Sequence, residues 1–251
     1  MPTELAGHRL LARLGKRVLR PGGRELTARL LAHAALPGAV VVELAPGLGR
    51  TARDILAQHP SRYVGVDNEP TAVRTVARIV GDRGRVVLGD ASATALPDAF
   101  ADVVVGEALL TMQGARAKEV IVAEAVRMLR SGGRLAIHEL GLTADVSAET
   151  ATQIRTELAR ALRVNARPQT LAEWSALLTS QGLVVDFDAS APMALLQPRR
   201  IVADEGLFGA LRFVKNLITH PDERRRVLTM RRTFRTHRDS LIAIAIVAHK
   251  P

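Results

Sequence analysis

Residues 41–52 read VVELAPGLGRTA, a glycine-containing stretch between two regular patterns. Its first four residues, with Val40 before them, form a compact, largely β-branched run that predicts a buried strand. Gly47 and Gly49 predict a turn in which the backbone can pass close to a ligand. A helix is predicted directly after this turn, and the N-terminus of a helix favours anionic groups. The stretch therefore predicts a ligand site between a strand and a helix.

Two helices are predicted before this stretch, and from the 40–44 strand onward the chain alternates between predicted strands and predicted helices. The further strands are predicted at 63–66, 85–88, 101–105, 135–137, 183–187 and 241–247. The helices are predicted at 3–14, 24–35, 50–58, 70–79, 116–129, 147–163 and 170–180, with two more inside 199–238. Alternation of this kind is typical of an α/β fold with a doubly wound, mostly parallel sheet.

Carboxylates follow two of the predicted strands. Asp67 comes after strand 63–66, and Asp90 comes after strand 85–88. A carboxylate at the first position can accept hydrogen bonds from both hydroxyls of a ribose. A carboxylate at the second can accept one from the exocyclic amine of adenine. Because the carboxyl ends of parallel strands line one crevice, both groups are expected beside the glycine turn.

The turn by itself leaves two classes of cofactor open. Residues 47–52 also fit the G-x-G-x-x-A fingerprint of dinucleotide-binding proteins. Glu43 favours a different ligand, because a pyrophosphate gains nothing from a carboxylate inside the first strand. A ligand with an ammonium or sulfonium charge does gain from it.

Taken together, these motifs resemble those of the class I S-adenosylmethionine-dependent methyltransferases. The resemblance covers roughly residues 38–142 and the closing pair of strands. The matching segments are 43–49, 65–67, 89–91, 96–97 and 129–135. The resemblance implies a Rossmann-like, seven-stranded, mostly parallel sheet with an antiparallel last strand. It also implies that the cofactor is S-adenosyl-L-methionine and that the protein is a transferase.

The resemblance further implies a set of cofactor-binding residues. The turn at 43–49 would hold the methionine end, Asp67 the ribose, and Asp90 with Ala91 the adenine. The full set is Glu43, Ala45, Gly47, Gly49, Asp67, Asn68, Asp90, Ala91 and Gly106. Two members depart from the family pattern. Ala45 replaces the usual first glycine, which would allow a slightly wider turn, and Asn68 replaces an apolar residue that often packs on the adenine.

Three residues are candidates for catalysis. Methyl transfer needs alignment of donor and acceptor, and it needs a base only if the acceptor carries a proton. Glu107 follows the fourth predicted strand, and His138 and Glu139 follow the fifth. Because the family's sheet order makes these strands neighbours, Glu107 and Glu139 could face one pocket. There they could orient a hydroxyl, hold an amine or ligate a metal, although no residue is assigned to a metal.

Strand alternation limits this set, because it sends His138 and Glu139 to opposite faces of the sheet. At most one of these two is therefore expected in the site. The alternatives remain that Glu107 only hydrogen-bonds the cofactor and that His138 points into the core.

Helices outside the strand–helix alternation are predicted to cover the site. The predicted boundaries are an N-terminal helical lid at 1–36 and a methyltransferase domain at 37–251, with lid insertions at 143–168 and 199–238. The apolar side chains of these helices predict a largely apolar acceptor pocket, and the alternative is ordinary helix packing. The side chains in question are Leu158, Leu162, Leu207, Phe208 and Phe213.

The composition of the 251 residues narrows the chemistry further. The chain contains no cysteine, which excludes disulfides, cysteine-ligated metals and a cysteine nucleophile, and with it methylation at pyrimidine C5. Residues 106–109 read GEAL, so the Asn/Asp-Pro-Pro-aromatic segment of base-amino methyltransferases is missing. A small-molecule acceptor, methylated at O or N, is therefore predicted. No signal peptide or membrane span is recognisable, and a cytoplasmic location is expected.

The net charge is +10, and a large part of it lies in the arginine-rich segment 224–238. As a helix, this segment has an apolar side made of Val227, Met230, Phe234 and Leu241. Beside it runs a basic stripe made of Arg231, Arg235 and Arg238. The stripe could bind RNA, an anionic lipid or a phosphorylated acceptor, or it could be a solvated face. An RNA methyltransferase and a non-catalytic S-adenosylmethionine-binding protein therefore remain alternatives, and the oligomeric state is left open.

Overall fold

A computed structural model describes residues 6–18, 20–193 and 195–251. The strands are β1 (Val40–Leu44), β2 (Arg62–Asp67), β3 (Gly84–Leu88), β4 (Ala101–Glu107), β5 (Leu129–Leu142), β6 (Gln169–Thr170), β7 (Val184–Pro192) and β8 (Leu241–His249). The helices are α1 (Gly7–Arg13), α2 (Gly23–His33), α3 (Arg50–Leu56), α4 (Pro70–Val80), α5 (Ala115–Met128), α6 (Ala148–Leu162), α7 (Leu171–Thr179), α8 (Pro198–Thr219) and α9 (Pro221–Thr236). The first residues of the predicted helix at 3–14 lie outside the described part.

The strands form one sheet with the order β3-β2-β1-β4-β5-β8-β7. The first five strands are parallel to one another, whereas β8 runs antiparallel to both β5 and β7. The two-residue strand β6 pairs with the end of β5 and lies off this path. The prediction of a mostly parallel, seven-stranded sheet with an antiparallel last strand is therefore confirmed. No helix in the ranges given above is long and apolar enough to cross a bilayer.

Successive side chains of the central strands pack on opposite faces of the sheet, as the period of two requires. On one face, Val42 and Val104 pack against α5 and α7. On the other face, Val41 and Val103 pack against α2, α3 and α4. Both faces of the sheet are covered by helices, which explains why the central strands are nearly continuous apolar runs.

A third apolar cluster lies at the carboxyl edge of β5 and is formed largely by α1, α6, α8 and α9. It contains Leu158, Leu162 and Phe213, which were predicted to face a pocket. The same prediction is wrong for Leu207 and Phe208, because their side chains point to solvent. Some apolar side chains of α8 pack against the rest of the protein, and others are exposed to solvent.

Helix α9 buries its predicted apolar side but is shorter than expected. Val227, Met230 and Phe234 are buried in the third cluster. The helix ends at Thr236, so Leu241 begins β8 instead of extending the helix. The side chain of Leu241 still joins the same apolar cluster.

Charged side chains of α8 hold the segment between α1 and α2 in place. Lys16 is fully buried, and its Nζ lies 3.7 Å from carboxylate oxygens of both Asp204 and Glu205. Glu205 Oε1 also accepts hydrogen bonds from the backbone N–H groups of Arg17 and Val18, at 2.7 and 2.8 Å. These contacts bring the segment that follows, which includes Arg20, onto the carboxyl edge of the sheet.

Candidate functional site

The turn after β1 uses the left-handed backbone conformation three times. Ala45, Gly47 and Gly49 have φ angles of 52°, 54° and 69°. A Cβ on Gly49 would lie 2.5 Å from Ile79 Cδ1 and 3.3 Å from Val76 Cγ2, so these side chains of α4 would have to shift to admit a larger residue. Ala45 adopts the conformation that suits a glycine, at a cost of roughly 1–2 kcal/mol for an L-residue.

Asp67 holds the glycine turn from the neighbouring strand. Its Oδ2 accepts a hydrogen bond from the backbone N–H of Gly47 at 2.9 Å, and its Oδ1 accepts one from Glu69 at 2.9 Å. A carboxylate has about four lone-pair sites, so two remain for a ligand. The structure therefore brings Asp67 to the turn, as the sequence predicted.

Asp90 and Asn68 lie in more open positions near the same edge. The side chains of both residues are exposed. Asp90 Oδ1 accepts hydrogen bonds from the backbone N–H and the hydroxyl of Ser92, at 2.7 and 2.6 Å. These two bonds lower the pKa of Asp90 below its usual value. Asp90 is therefore ionised near neutral pH, and its Oδ2 is available to an amine donor.

Gly106 lies opposite Leu44 in the register between β4 and β1. A Cβ built on Gly106 would meet no atom within 4 Å, and one on Gly47 would meet only the Ala45 carbonyl oxygen at 3.8 Å. Both glycines therefore face open space, where a ligand could approach the backbone closely.

Glu43 is buried on the face of the sheet that packs against α2 and α3. Its Oε2 accepts a hydrogen bond of 2.5 Å from the hydroxyl of Tyr63. The pKa of Glu43 is raised to about 8, mainly by burial and to a smaller extent by the negative charge of Glu107, whereas the Tyr63 hydrogen bond opposes the shift. In the ligand-free protein Glu43 is therefore mostly protonated at neutral pH.

Glu43→Gln is expected to flatten the pH dependence of the unfolding free energy. The folded protein keeps the Glu43 proton up to about pH 8, whereas the unfolded chain releases it near the ordinary glutamate pKa of 4.5. This contribution to stability is complete below the unfolded pKa and is lost as pH rises through the folded pKa, at up to about 1.4 kcal/mol per pH unit. Glutamine stays neutral and can still accept the Tyr63 hydrogen bond. Urea unfolding at several values between about pH 5 and pH 8 measures the difference.

The exposed Glu119→Gln change is the control for this measurement, because it removes a carboxylate in a solvated position. It should leave the pH profile unchanged. If the unfolding free energies of the wild type and Glu43→Gln changed with pH in the same way, the raised pKa of Glu43 would be contradicted.

Glu107 and His138 form the centre of a buried polar cluster. They face each other in the register between β4 and β5, and His138 Nδ1 lies 2.8 Å from Glu107 Oε1. His138 Nε2 accepts a hydrogen bond from the backbone N–H of Gly22 at 3.2 Å. We therefore assign the proton of this imidazole to Nδ1, from which it is donated to Glu107. Both ring nitrogens of His138 are engaged inside the protein.

Three further side chains contact Glu107, and no local sequence pattern indicated any of these contacts. Arg20 Nε lies 3.1 Å from Oε2, the Thr27 hydroxyl donates to Oε1 at 2.5 Å, and the Thr51 hydroxyl donates to Oε2. Burial alone would raise the pKa of Glu107, but Arg20, His138 and Thr27 together lower it to about 2. A carboxylate with so low a pKa is a poor general base near neutral pH.

Glu139 lies on the opposite face from His138, as strand alternation predicted. It is fully buried, and it accepts hydrogen bonds from the backbone N–H groups of Leu109, Leu110 and Thr111, at 3.0, 2.8 and 2.9 Å. The Thr111 hydroxyl donates to it as well, at 2.6 Å. The structure therefore pairs Glu107 with His138 and does not bring Glu107 and Glu139 into one pocket.

A small, largely apolar cavity of about 50 Å³ lies next to the turn that Glu139 holds. Leu162, Val164, Met193 and Phe234 line it, together with Thr111 from the turn. His8 of α1 also lines it, and burial together with the charge of Arg9 lowers the pKa of this imidazole. Parts of α1, α6 and α9 therefore surround a space at the carboxyl edge of β4 and β5.

Comparison with known proteins gives the family. A model described as a methyltransferase domain matches residues 42–137, which extend from β1 into β5. An uncharacterized protein of Haemophilus influenzae is 30% identical over 256 residues, and the match covers 100% of both chains. The chain belongs to the class I S-adenosylmethionine-dependent methyltransferases. Its cofactor is S-adenosyl-L-methionine.

Solved structures share the fold over almost the whole chain. The S-adenosylmethionine-dependent methyltransferase of Geobacter sulfurreducens, in complex with S-adenosylhomocysteine, has a TM-score of 0.70 at 19% identity, covering 96% of this chain and 98% of that one. The 1,6-didemethyltoxoflavin-N1-methyltransferase of Burkholderia thailandensis has a TM-score of 0.57 at 20% identity, covering 90% and 77%. At these sequence identities, the comparison shows that the folds are similar and nothing more.

Proposed function

We propose that the protein transfers a methyl group from S-adenosylmethionine to an oxygen or nitrogen atom of a small, largely apolar molecule. The apolar cavity at the carboxyl edge of β4 and β5 carries this proposal. Its volume of about 50 Å³ and its largely apolar lining suit an apolar part of a small molecule. The Burkholderia enzyme of the same fold binds 1,6-didemethyltoxoflavin, a small-molecule acceptor. The cytoplasm is the proposed location, since a chain without cysteine needs no oxidising compartment.

Several features of the chain fit the cofactor. Asp67 has two lone-pair sites left for the ribose hydroxyls, and Asp90 Oδ2 can accept from the adenine amine, beside Asn68 and Ala91. Gly47 and Gly106 leave open space next to the backbone. Arg20 Nη1 is buried and has no hydrogen-bond partner within the described residues, which suits the carboxylate at the methionine end.

The residues of the chain then have mainly positioning roles. The cofactor supplies a methyl group that its sulfonium already activates. Glu107 fixes Arg20 and the start of α3 through Thr51, and His138 fixes Glu107 and the backbone at Gly22. Glu139 fixes the turn at 109–111, which lines the acceptor cavity. Alignment of donor and acceptor is the main contribution that we assign to this framework.

The helices around the cavity are proposed to act as its cover. The N-terminal segment 1–36 contributes α1 and the Arg20 segment, and the insertion 143–168 contributes α6. The insertion 199–238 contributes α9, whose Phe234 lines the cavity. These segments would exclude water from the acceptor, and residues 37–251 would form the methyltransferase domain with its two insertions.

Val164→Phe is expected to lower methyl transfer to the acceptor by at least about tenfold at limiting acceptor, because a larger side chain would fill the cavity. The binding of S-adenosylhomocysteine should stay within about twofold of the wild type, since Val164 lies outside the cofactor residues. Isotope-labelled S-adenosylmethionine, incubated with a cell extract and analysed for labelled products, measures the transfer, and calorimetry measures the binding.

The control is Val184→Phe at an exposed position of β7. It should change neither quantity. Undiminished transfer by Val164→Phe would show that the acceptor binds elsewhere. Label found in RNA and not in small molecules would favour an RNA methyltransferase, and binding of the cofactor without transfer to either would favour a non-catalytic binding protein.

A further inference from the structure

The second half of α8 carries an exposed apolar stripe. Gly206, with φ 71°, interrupts the helix, and the turns that follow bury Ala210 and Phe213. The outer side is apolar as well. Its exposed side chains are Leu207 (63%), Leu211 (57%), Val214 (49%) and Ile218 (65%), with Phe208 (89%) beside them. Spacings of three and four residues align these side chains, apart from Phe208, on one side of the helix. A contiguous exposed stripe of this kind marks an interaction surface more often than single apolar residues do.

Positive charge is concentrated in the helical hairpin that carries this stripe. The α8–α9 hairpin, residues 198–238, contains eleven Arg or Lys and four Asp or Glu, a net +7 out of +10 for the whole chain. On α8, the exposed Arg212 and Lys215 lie next to the stripe. On α9, the exposed outer face combines Leu228 with basic side chains. These are Arg224, Arg225, Arg232 and Arg235.

We propose that the α8–α9 hairpin docks on the surface of an anionic phospholipid bilayer. The apolar stripe would enter the boundary between headgroups and acyl chains, and the arginines would contact the anionic headgroups. Near such a surface each Lys or Arg is attracted to the anionic headgroups, and the apolar side chains add to the binding by leaving water. The inner side of the same hairpin closes the acceptor cavity, but the docking does not depend on which acceptor is used.

Charge complementarity distinguishes the bilayer from other partners. A second copy of the chain, paired across a two-fold axis, would bring two surfaces of net +7 together, and the repulsion would oppose association. An RNA could neutralise the arginines, but its phosphates would leave Leu207, Leu211 and Ile218 exposed to water. An anionic bilayer can contact both parts of the surface, because its headgroups pair with the arginines and its acyl chains take up the apolar stripe.

Co-sedimentation of the full chain with lipid vesicles tests the proposal. Wild-type protein should sediment with vesicles of phosphatidylcholine and phosphatidylglycerol at low salt, and much less with phosphatidylcholine alone. The double change Leu211→Glu and Ile218→Glu should weaken binding to the anionic vesicles by at least about tenfold, because it places two carboxylates in the stripe. Arg232→Glu with Arg235→Glu should weaken it as well and should reduce its salt dependence.

The matched control is Val120→Glu with Val184→Glu, two comparably exposed valines on α5 and β7. It should bind vesicles like the wild type, and circular dichroism checks that all variants are folded. Absence of binding to the anionic vesicles would overturn the proposal, as would equal binding by the stripe variant. A dimer that the stripe variant abolishes, without vesicle binding, would instead make a second copy the partner. Binding to RNA without binding to vesicles would also overturn the proposal.

Discussion

Replacing Asp67 with alanine is expected to weaken the binding of S-adenosylhomocysteine by at least about 100-fold. The change removes a carboxylate that we propose to accept two ribose hydrogen bonds, each worth about 1.5–3 kcal/mol because the acceptor is charged. It also removes the acceptor for the Gly47 N–H, so the turn that would hold the methionine end loses its anchor on β2. Isothermal titration calorimetry of the purified variants measures the effect.

Two comparisons make this experiment specific. Asp188→Ala removes an exposed carboxylate on β7 and should leave the dissociation constant unchanged. NADPH, titrated into the wild type, should show no binding, which would exclude the dinucleotide interpretation of the glycine turn. A dissociation constant for Asp67→Ala within about threefold of the wild type would rule out the proposed role of Asp67.

Glu107→Ala is expected to lower the free energy of unfolding by about 3–5 kcal/mol, which is typical of removing one partner from a buried ion pair. The Arg20 guanidinium would remain buried, with Asp54 as its remaining ion-pair partner among the described residues. The hydroxyls of Thr27 and Thr51 and the Nδ1–H of His138 would also lose their acceptor. Urea unfolding near pH 7, where Glu107 is ionised, measures the loss.

The second arm of this experiment replaces both partners. Arg20→Met combined with Glu107→Leu removes both charges of the buried pair, and the Asp54 carboxylate that loses Arg20 is partly exposed to water. The double variant should be markedly more stable than Glu107→Ala, since apolar replacement of a buried pair is often close to neutral. Glu119→Ala, at an exposed position of α5, should change stability by no more than about 0.5 kcal/mol. A loss below about 1 kcal/mol for Glu107→Ala would mean that the cluster does not hold the N-terminal segment on the sheet.

Local pattern explains why the sheet could be predicted. The predicted strand at 40–44 coincides with β1, because a short run of β-branched residues has few alternatives to a buried strand. Asp67 was expected beside the turn at Gly47 because parallel strands end at a common edge. Those statements need only short-range sequence and the geometry of parallel sheets.

Register and packing, in contrast, could not be predicted. Strand alternation separates His138 from Glu139, but only the register, in which Glu107 lies opposite His138, decides which of the two shares a face with Glu107. Arg20 reaches the same carboxylate from a distant part of the chain, and no local pattern indicates that contact. Leu207 and Phe208 are as apolar as buried residues, but no other element packs over them.

The sequence by itself therefore determined the sheet, the family and the carboxylates at its edge, because each of these depends on patterns within a few residues. Only the tertiary structure decided which acidic side chains share a face, which cation neutralises Glu107 and which apolar side chains stay in water. Those properties depend on the packing of distant segments, where a single step in register or the absence of a neighbouring helix reverses the outcome.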